Sequence, residues 1–333
     1  LLSNKRSTVM DYKNLIETNF GVKINDFTLL DSHFGTDIFL AETEIGKYIV
    51  KKLPIYMSNV KNEGKVTDYL RKSGIKVPYF LKLKNGACNL VVNDFQITVQ
   101  EFIEGCPLPL NEATDSFLKT QIELLGKINN ALVNFEGLPL RFGKNFFTKR
   151  NVKKKLKGYQ KELKKVIATN NCIDVVLKYE EQIKHLKKVA SFKIDTRKLT
   201  YLNSHGDYNI RQIVIDKDEL SVVDWTSACK LPICLEIASS YAFASPKCAD
   251  GSVDSNDLIE YIRTYTKYCK LSEYDLECLP YVFYFWHTMC NYHPNETIAE
   301  NYNNLATLIC NLQNWLYNNS DSLSATLRKS GLC

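Results

Sequence analysis

The sequence lacks any apolar run long enough to cross a bilayer. Its greasiest stretch, CLPYVFYFWHTMC over Cys278–Cys290, is interrupted by Pro280 and His287. It falls short of the roughly 20 apolar residues a spanning helix needs, so a buried helix is expected. The first residues, LLSNKRSTVMDYKN, hold no apolar segment of the kind a secretory signal carries. No C-x-x-C pair occurs among the 11 cysteines, and Cys229 and Cys234 have no second pair to complete a zinc pattern. An odd number of thiols, most of them flanked by apolar residues, suits a reducing compartment, hence a cytoplasmic protein. No internal repeat is visible. Charge of neither sign dominates: a net charge of +6 permits anionic partners without calling for nucleic acid.

What remains is an ordinary globular composition, 45% hydrophobic and 24% charged, in a chain of 333 residues. That is more than one small core serves, so two lobes are expected. The stretch Phe27–Leu53 alternates apolar and polar residues and is punctuated by Gly35 and Gly46, which predicts two or three antiparallel strands. A helix follows, with Ser58 as N-cap, an apolar stripe of Val60, Val66, Tyr69 and Leu70, and Gly74 as its stop. Two or three further strands are expected around the Asn85-Gly86 turn. Pro107 and Pro109 mark a break, after which helical periodicity takes over: Phe117, Leu118, Ile122, Leu125 and Ile128 form one stripe. Residues 150–190 predict a charged helical hairpin broken near TNNC. The expected organisation is α+β: a β-rich lobe over 1–100, a linker over 101–110, a helical lobe over 111–317 containing one β-hairpin, and a polar tail over 318–333 that frays.

The chemistry concentrates in NSHGDYNIRQIVID, Asn203–Asp216. Asp207 directly precedes a strand-like run, QIVI, and a second run, LSVVD, ends at Asp224. A hairpin between them would bring both carboxylates to one mouth. One carboxylate to accept a hydroxyl proton and another to hold Mg²⁺ is what a metal–phosphate site needs. H-G-D alone is usually a turn and V-V-D-W alone usually a strand end. Together at hairpin spacing, behind a β-rich lobe, they make a pattern.

The pair HGDYNIRQ (His205–Gln212) and VVDWTSA (Val222–Ala228) resembles the aminoglycoside phosphotransferase and choline kinase superfamily, which has a bilobal protein-kinase-like fold. YN after HGD, with the later CLEIASSYAFA, is similar to its CotS-like, spore-coat-associated branch. The resemblance implies an ATP- or GTP-dependent, Mg²⁺-requiring kinase acting on the hydroxyl of a small-molecule acceptor. It makes Asp207 the catalytic base; His205, also counted with the catalytic residues, would brace the loop by hydrogen-bonding backbone carbonyls, with direct proton transfer the alternative. Asp224 becomes the metal ligand, and Lys51 the lysine on the α/β-phosphates. Lys52 is the one-residue alternative, since strand neighbours point to opposite faces. Glu63 would orient that lysine. Ser32, Phe34, Gly35 and Thr36, in DSHFGTD, fall in the phosphate-covering loop. Glu101 and Ile103, in VQEFIEG, fall in the hinge that meets the adenine. Glu236 would support the catalytic loop.

The departures are Gln212, where the family has a metal-binding Asn, and Asn129, where a His is often found. Gln keeps the amide oxygen on an arm about 1.5 Å longer; Asn209, three residues early, is the alternative donor. The rival reading is a nucleotide-binding pseudokinase with a structural role, in the coat of a spore. A hydrolase using His205 and Asp207 lacks a nucleophile at sensible spacing, since Ser204 merely abuts His205.

Residues 141–165 carry 11 Lys and Arg against one acid. The plain reading is a solvated helix face; the sharper one is an electropositive flank for an anionic acceptor, and a polycationic aminoglycoside would want carboxylates instead. The aromatic run Tyr281–Trp286, with Tyr241 and Phe243, reads as core, or as a cage for a quaternary ammonium. His287 and His293 read as helix-end residues, and Trp225 as core. No nucleic-acid or membrane partner is expected, and the chain is taken as a monomer or weak dimer.

Overall fold

The computed structural model describes residues 12–33, 35–57, 59–169, 173–217, 219–290 and 300–332. Contacts divide the chain into two units. One comprises Leu1–Pro107, Asn134–Pro139 and Gln212–Ala228; the other comprises Leu108–Val133, Leu140–Arg211 and Cys229–Cys333.

The first unit is built on an antiparallel sheet of five strands, β1 (Ile24–His33), β2 (Thr36–Thr43), β3 (Gly46–Pro54), β4 (Asn89–Val92) and β5 (Phe95–Glu101), in the order β1-β2-β3-β5-β4. The period-2 pattern is realised: Phe39, Ala41, Tyr48, Val50, Ile97 and Val99 face one core, joined by Ile16 and Phe20 of helix α1 over residues 12–20. The Asn85-Gly86 turn does not join strands. It closes a local loop, with Leu83 N–H donating to the Ala87 carbonyl at 2.8 Å, and the β4–β5 hairpin turns instead at Asn93, whose φ is 49°. Helix α2 (Val60–Lys72) has Asn59 at its N-cap position, one residue later than expected, with no side-chain cap hydrogen bond; Ser58 lies outside the described residues. Its end is a Schellman motif: Gly74 at φ 78° lets Ile75 N–H reach the Leu70 carbonyl and Gly74 N–H the Arg71 carbonyl.

A second, three-stranded sheet in this unit joins β6 (Cys106–Pro107), β8 (Ile213–Asp216) and β9 (Glu219–Val222). The β8–β9 hairpin therefore groups with the β-rich unit, where the sequence pattern put it among the helices. The cause is pairing at long range: Cys106 and Pro107 sit opposite Ile215 and Val214, and Val222 N–H donates to the Lys76 carbonyl at 3.1 Å.

The second unit holds α3 (Asp115–Ala131), α4 (Lys149–Ala168), α5 (Ile173–Val189), α6 (Ile233–Ala244), α7 (Ser255–Thr266), α8 (Glu273–Met289) and α9 (Glu300–Arg328), with a two-stranded pair of β7 (Tyr201–Ser204) and β10 (Cys229–Pro232). The expected α3 stripe is buried throughout, and Thr114 caps the helix through the Phe117 N–H. Helices α4 and α5 are the charged hairpin. The α8 stretch is the expected buried helix, fixed at its start by a Ser272–Asp275 capping box. The segment read as a polar tail is the last turns of α9, which runs to Arg328 and buries Leu323 and Leu327. The spacing of Leu316, Leu323 and Leu327 keeps one apolar stripe on that helix while its serines and asparagines occupy the rest. Among the described residues no helix is long and apolar enough to cross a membrane.

His287 departs from the expectation of an ordinary helix-end residue. It lies in the last turn of α8 but is only 1% exposed, ringed by Phe283, Trp286 and Phe243 at centroid distances of 4.5, 4.5 and 5.9 Å. Neither ring nitrogen has a hydrogen-bond partner among the described residues. Burial pushes its pKa down to about 3. The folded state therefore binds fewer protons than the unfolded one between about pH 3 and the ordinary value near 6.5. The stability gained by keeping His287 neutral is complete above that upper limit and is lost as pH falls through the window. His293 lies outside the described residues. The expected outcome of His287→Leu is a melting temperature at pH 7.5 equal to or above the parent's, because two unmade hydrogen bonds at about 1–3 kcal/mol each are removed. The difference should widen at pH 5.5, and thermal denaturation at the two pH values measures it.

Candidate active site

In the first unit the site grows from strand β3. Lys51 and Lys52 are neighbours on the strand and so face opposite ways. Lys52 turns to Asp37, 3.0 Å away, and lies over the rings of Tyr12 and Phe95. Lys51 turns inward and is 6% exposed, with Nζ 3.3 Å from Glu63 Oε1 on α2 and 2.8 Å from Asp224 Oδ1. Burial works against its charge, but the Asp224 and Glu63 carboxylates outweigh it and hold the Lys51 pKa above its ordinary value. Glu63 is fully buried, which pushes its carboxyl up, while Lys51 opposes the shift.

Asp224 follows β9 and takes a left-handed backbone, φ 61° and ψ 65°, which a short polar side chain tolerates better than most. Its carboxylate is 42% exposed and also accepts from Thr226 Oγ1 at 2.8 Å. The loop after it is pinned from α2: Asn59 Nδ2 donates to the Thr226 carbonyl at 3.0 Å and the Ala228 carbonyl at 2.7 Å. Sequence reasoning missed Asn59, because its residue type signals only a helix cap. Gln212 ends the short 3-10 turn before β8, and its carbonyl accepts from Val223 N–H at 2.9 Å. Hairpin closure thus brings the Gln212 backbone against that of Val223, next to Asp224. Trp225 is fully buried, with Nε1 donating to the Val222 carbonyl at 3.0 Å, so it is core.

The glycine-bearing loop is a hairpin between β1 and β2. Ser32 sits opposite Asp37 and donates to its Oδ1 at 2.6 Å; Thr36 opens β2, and Gly35 turns at φ 77°. Phe34 lies outside the described residues. At the hinge, Glu101 spends its side chain on structure, accepting from Tyr79 N–H at 3.2 Å and Arg71 at 3.4 Å. The backbone groups of Ile103 make no hydrogen bond among the described residues, which leaves them available to a base edge.

In the second unit, β7 delivers His205, Gly206 and Asp207. Gly206 takes φ 82°, where a side chain would be strained. His205 is fully buried, and its Nδ1 accepts from Asp207 N–H at 3.3 Å. Glu236 on α6 accepts at one oxygen from Gly206 N–H at 2.6 Å and Tyr208 N–H at 3.1 Å. Burial pushes its carboxyl up to about 7 against these bonds. Asp207 itself is exposed, with its carboxylate accepting from Asn209 Nδ2 at 3.2 Å. Asn209 also serves the Asp207 carbonyl and Arg211 N–H, so its amide is committed to this loop. Asn129 links β7 to α7: it donates to the Asn203 carbonyl and to Ser204 Oγ, and accepts from Tyr265.

The donor set suits a hard divalent cation. Asp224 and Gln212 offer oxygen only, the ligands Mg²⁺ takes. Among the described residues no three His, Cys, Asp or Glu side chains cluster. A cation here would rely on Asp224, an amide oxygen and oxygens of its ligand.

The fold is kinase-like. An amicoumacin kinase, hAmiN, in complex with AMP-PNP, Ca2+ and Ami superposes with a TM-score of 0.63 at 12% identity, covering 94% of this chain and 92% of that one. A choline kinase from Cryptosporidium parvum gives 0.56 at 11% identity, over 97% of each chain. A microcompartment-associated aminopropanol kinase gives 0.55 at 12% identity, over 96% of this chain and 95% of that one. No curated protein sequence matches the chain. The sequence model of the phosphotransferase enzyme family matches residues 26–271, and the chain belongs to that family.

Proposed function

We propose that the protein transfers the γ-phosphoryl group of ATP to a hydroxyl of a small-molecule acceptor. The observation that carries this reading is the Lys51–Glu63–Asp224 assembly, a buried ammonium held between one enclosed and one half-exposed carboxylate. Phosphoryl transfer asks for alignment and charge neutralisation rather than covalent chemistry from the protein. Lys51 supplies a fixed positive charge for the phosphates, and Glu63 sets its direction. Asp224 and Gln212 would hold Mg²⁺, which would supply neutralisation of phosphate charge. The backbone of Ile103 takes the base. Asp207 orients the acceptor hydroxyl and receives its proton as the new O–P bond forms and the bond from the γ-phosphorus to the β–γ bridging oxygen breaks, releasing ADP. His205 and Glu236 hold the Asp207 backbone and touch no substrate.

The second reading, nucleotide binding without turnover in a structural, spore-associated role, draws on Gln212. A longer arm at the second metal ligand weakens the site where phosphate charge is neutralised. The two readings part on turnover. Under the first, Asp207→Ala lowers acceptor-dependent ADP release by about 10²–10⁴-fold while AMP-PNP with Mg²⁺ still raises the melting temperature; under the second, neither form turns over. Gln212→Asn, which restores the shorter arm, is expected to lower the Mg²⁺ concentration giving half-maximal ADP release, and Gln212→Ala to raise it. A magnesium titration of initial rates checks both.

Glu236 yields a pH signature. Its folded pKa of about 7 lies above the ordinary carboxylate value, so the folded state binds more protons in between. Its contribution to stability is complete below the ordinary value and is lost as pH rises through about 7. Glu236→Gln keeps an acceptor for the two N–H groups and removes the titration. The variant's melting temperature should therefore fall less than the parent's between pH 5 and 8, measured by differential scanning calorimetry.

A further inference from the structure

The geometry points to an acceptor that carries negative charge, a carboxylate or a phosphate ester on a hydroxylated skeleton, held by Arg141 and Lys155 against the aromatic pair Phe142 and Trp286. This rests on the proposed phosphotransfer and names its substrate class.

Four observations within the second unit carry it. First, Asp207 opens onto a narrow cavity of about 20 Å³ whose walls include Phe142, Trp286 and Glu236. The two rings meet edge to face, 6.4 Å between centroids at 77°. Second, Phe142 has φ 53°, a left-handed conformation costly for a bulky side chain. Its surroundings impose it: Arg141 N–H donates to the Lys230 carbonyl at 2.9 Å, and Tyr201 Oη donates to the Phe142 carbonyl at 2.7 Å. Backbone strain fixed from both sides holds the ring at the cavity. Third, the charges beside this wall are cationic. The Arg141 guanidinium stands 5.0 Å from the Phe142 ring centre, and Lys155 Nζ donates to the Met289 carbonyl at the end of α8. Phe142, over whose ring the Arg141 guanidinium stands, lines the same cavity as Asp207. Fourth, the cationic flank continues. A concavity of ≈ 950 Å³ along the first turns of α4 is lined by Lys149, Arg150, Lys153, Lys154 and Lys157 with no carboxylate. It is tied to the aromatic wall through Phe146, which packs 4.9 Å from Phe142 and whose carbonyl takes the Asn151 amide.

The carboxylates facing the cavity are Asp207 and Glu236, and both have work in the catalytic loop. Asp207 accepts from Asn209, and Glu236 is enclosed and accepts at one oxygen from two backbone N–H groups. The aromatic run forms no quaternary-ammonium cage: Phe283, Tyr284, Phe285, Tyr241 and Phe243 are core, and of the run Trp286 lines the cavity.

Charge alone is varied by four six-carbon polyols: sorbitol, gluconate, sorbitol 6-phosphate and glucamine. Calorimetric titration of the full chain with Mg²⁺ and AMP-PNP present reads binding without turnover. The expected result is that gluconate or sorbitol 6-phosphate binds at least tenfold tighter than glucamine; which of the two leads tells carboxylate from phosphate. Arg141→Glu should reverse that order, and Lys155→Met should weaken the acids severalfold. Arg141 is exposed and its bond to the Lys230 carbonyl is through the backbone, so that bond survives in the variant, and its melting temperature against the parent's checks folding. Failure of both acids to bind tighter than glucamine overturns the proposal, as does an acid preference untouched in both variants. Phosphotransfer fails on a different readout: no acceptor-dependent ADP release from the parent with any of the four.

Discussion

The first unit is organised around one buried positive charge. Taking an ammonium out of water costs on the order of several kcal/mol, so Lys51 is tolerable in β3 only because α2 brings Glu63 and the β9 loop brings Asp224. Three segments distant in sequence are thereby held to one point. Asn59 repeats the tie, since the residue just before α2 gathers the carbonyls of the Asp224 loop. The two partners differ in a useful way. Glu63 is enclosed beside Lys51, whereas Asp224 keeps nearly half of its side chain exposed.

The second unit solves a different problem, the presentation of an exposed carboxylate on a rigid loop. Nothing about Asp207 itself is buried; what is buried is its support. His205 and Glu236 lie inside and hold the backbone on either side of it, and Gly206 supplies the turn. A carboxyl pushed up to about 7 beneath the loop shows that burial outweighs its two backbone bonds there. Strain appears at three points near the chemistry, Asp224, Gly206 and Phe142, each with positive φ. Two are a short acid and a glycine, residue types that take such angles. Phe142 is neither, and its neighbours impose the angle.

Much of this was legible beforehand where periodicity is local. The β2, β3 and α3 patterns predicted their buried faces, and the expected strands of the hairpin pair as β8 and β9. The misses are long-range. Strand β8 found its third partner in Cys106 and Pro107, which moved the hairpin into the β-rich unit. The Asn85-Gly86 signal made a real turn that joined no strands. The tail seemed polar because its leucines are few, yet two of them land on the stripe of α9.

The sequence by itself determined the chemistry: which residues bear charge, which face of each strand or helix is apolar, and the motifs that identify the family. Alternation even settled that Lys51 and Lys52 part company, though not which one turns inward. Only the tertiary structure decided that, because a lysine's inward turn depends on whether carboxylates from elsewhere arrive to meet it. The same holds for Asn59, Phe142 and His287. Their roles lie in what packs around them, and packing brings together residues that no local pattern connects.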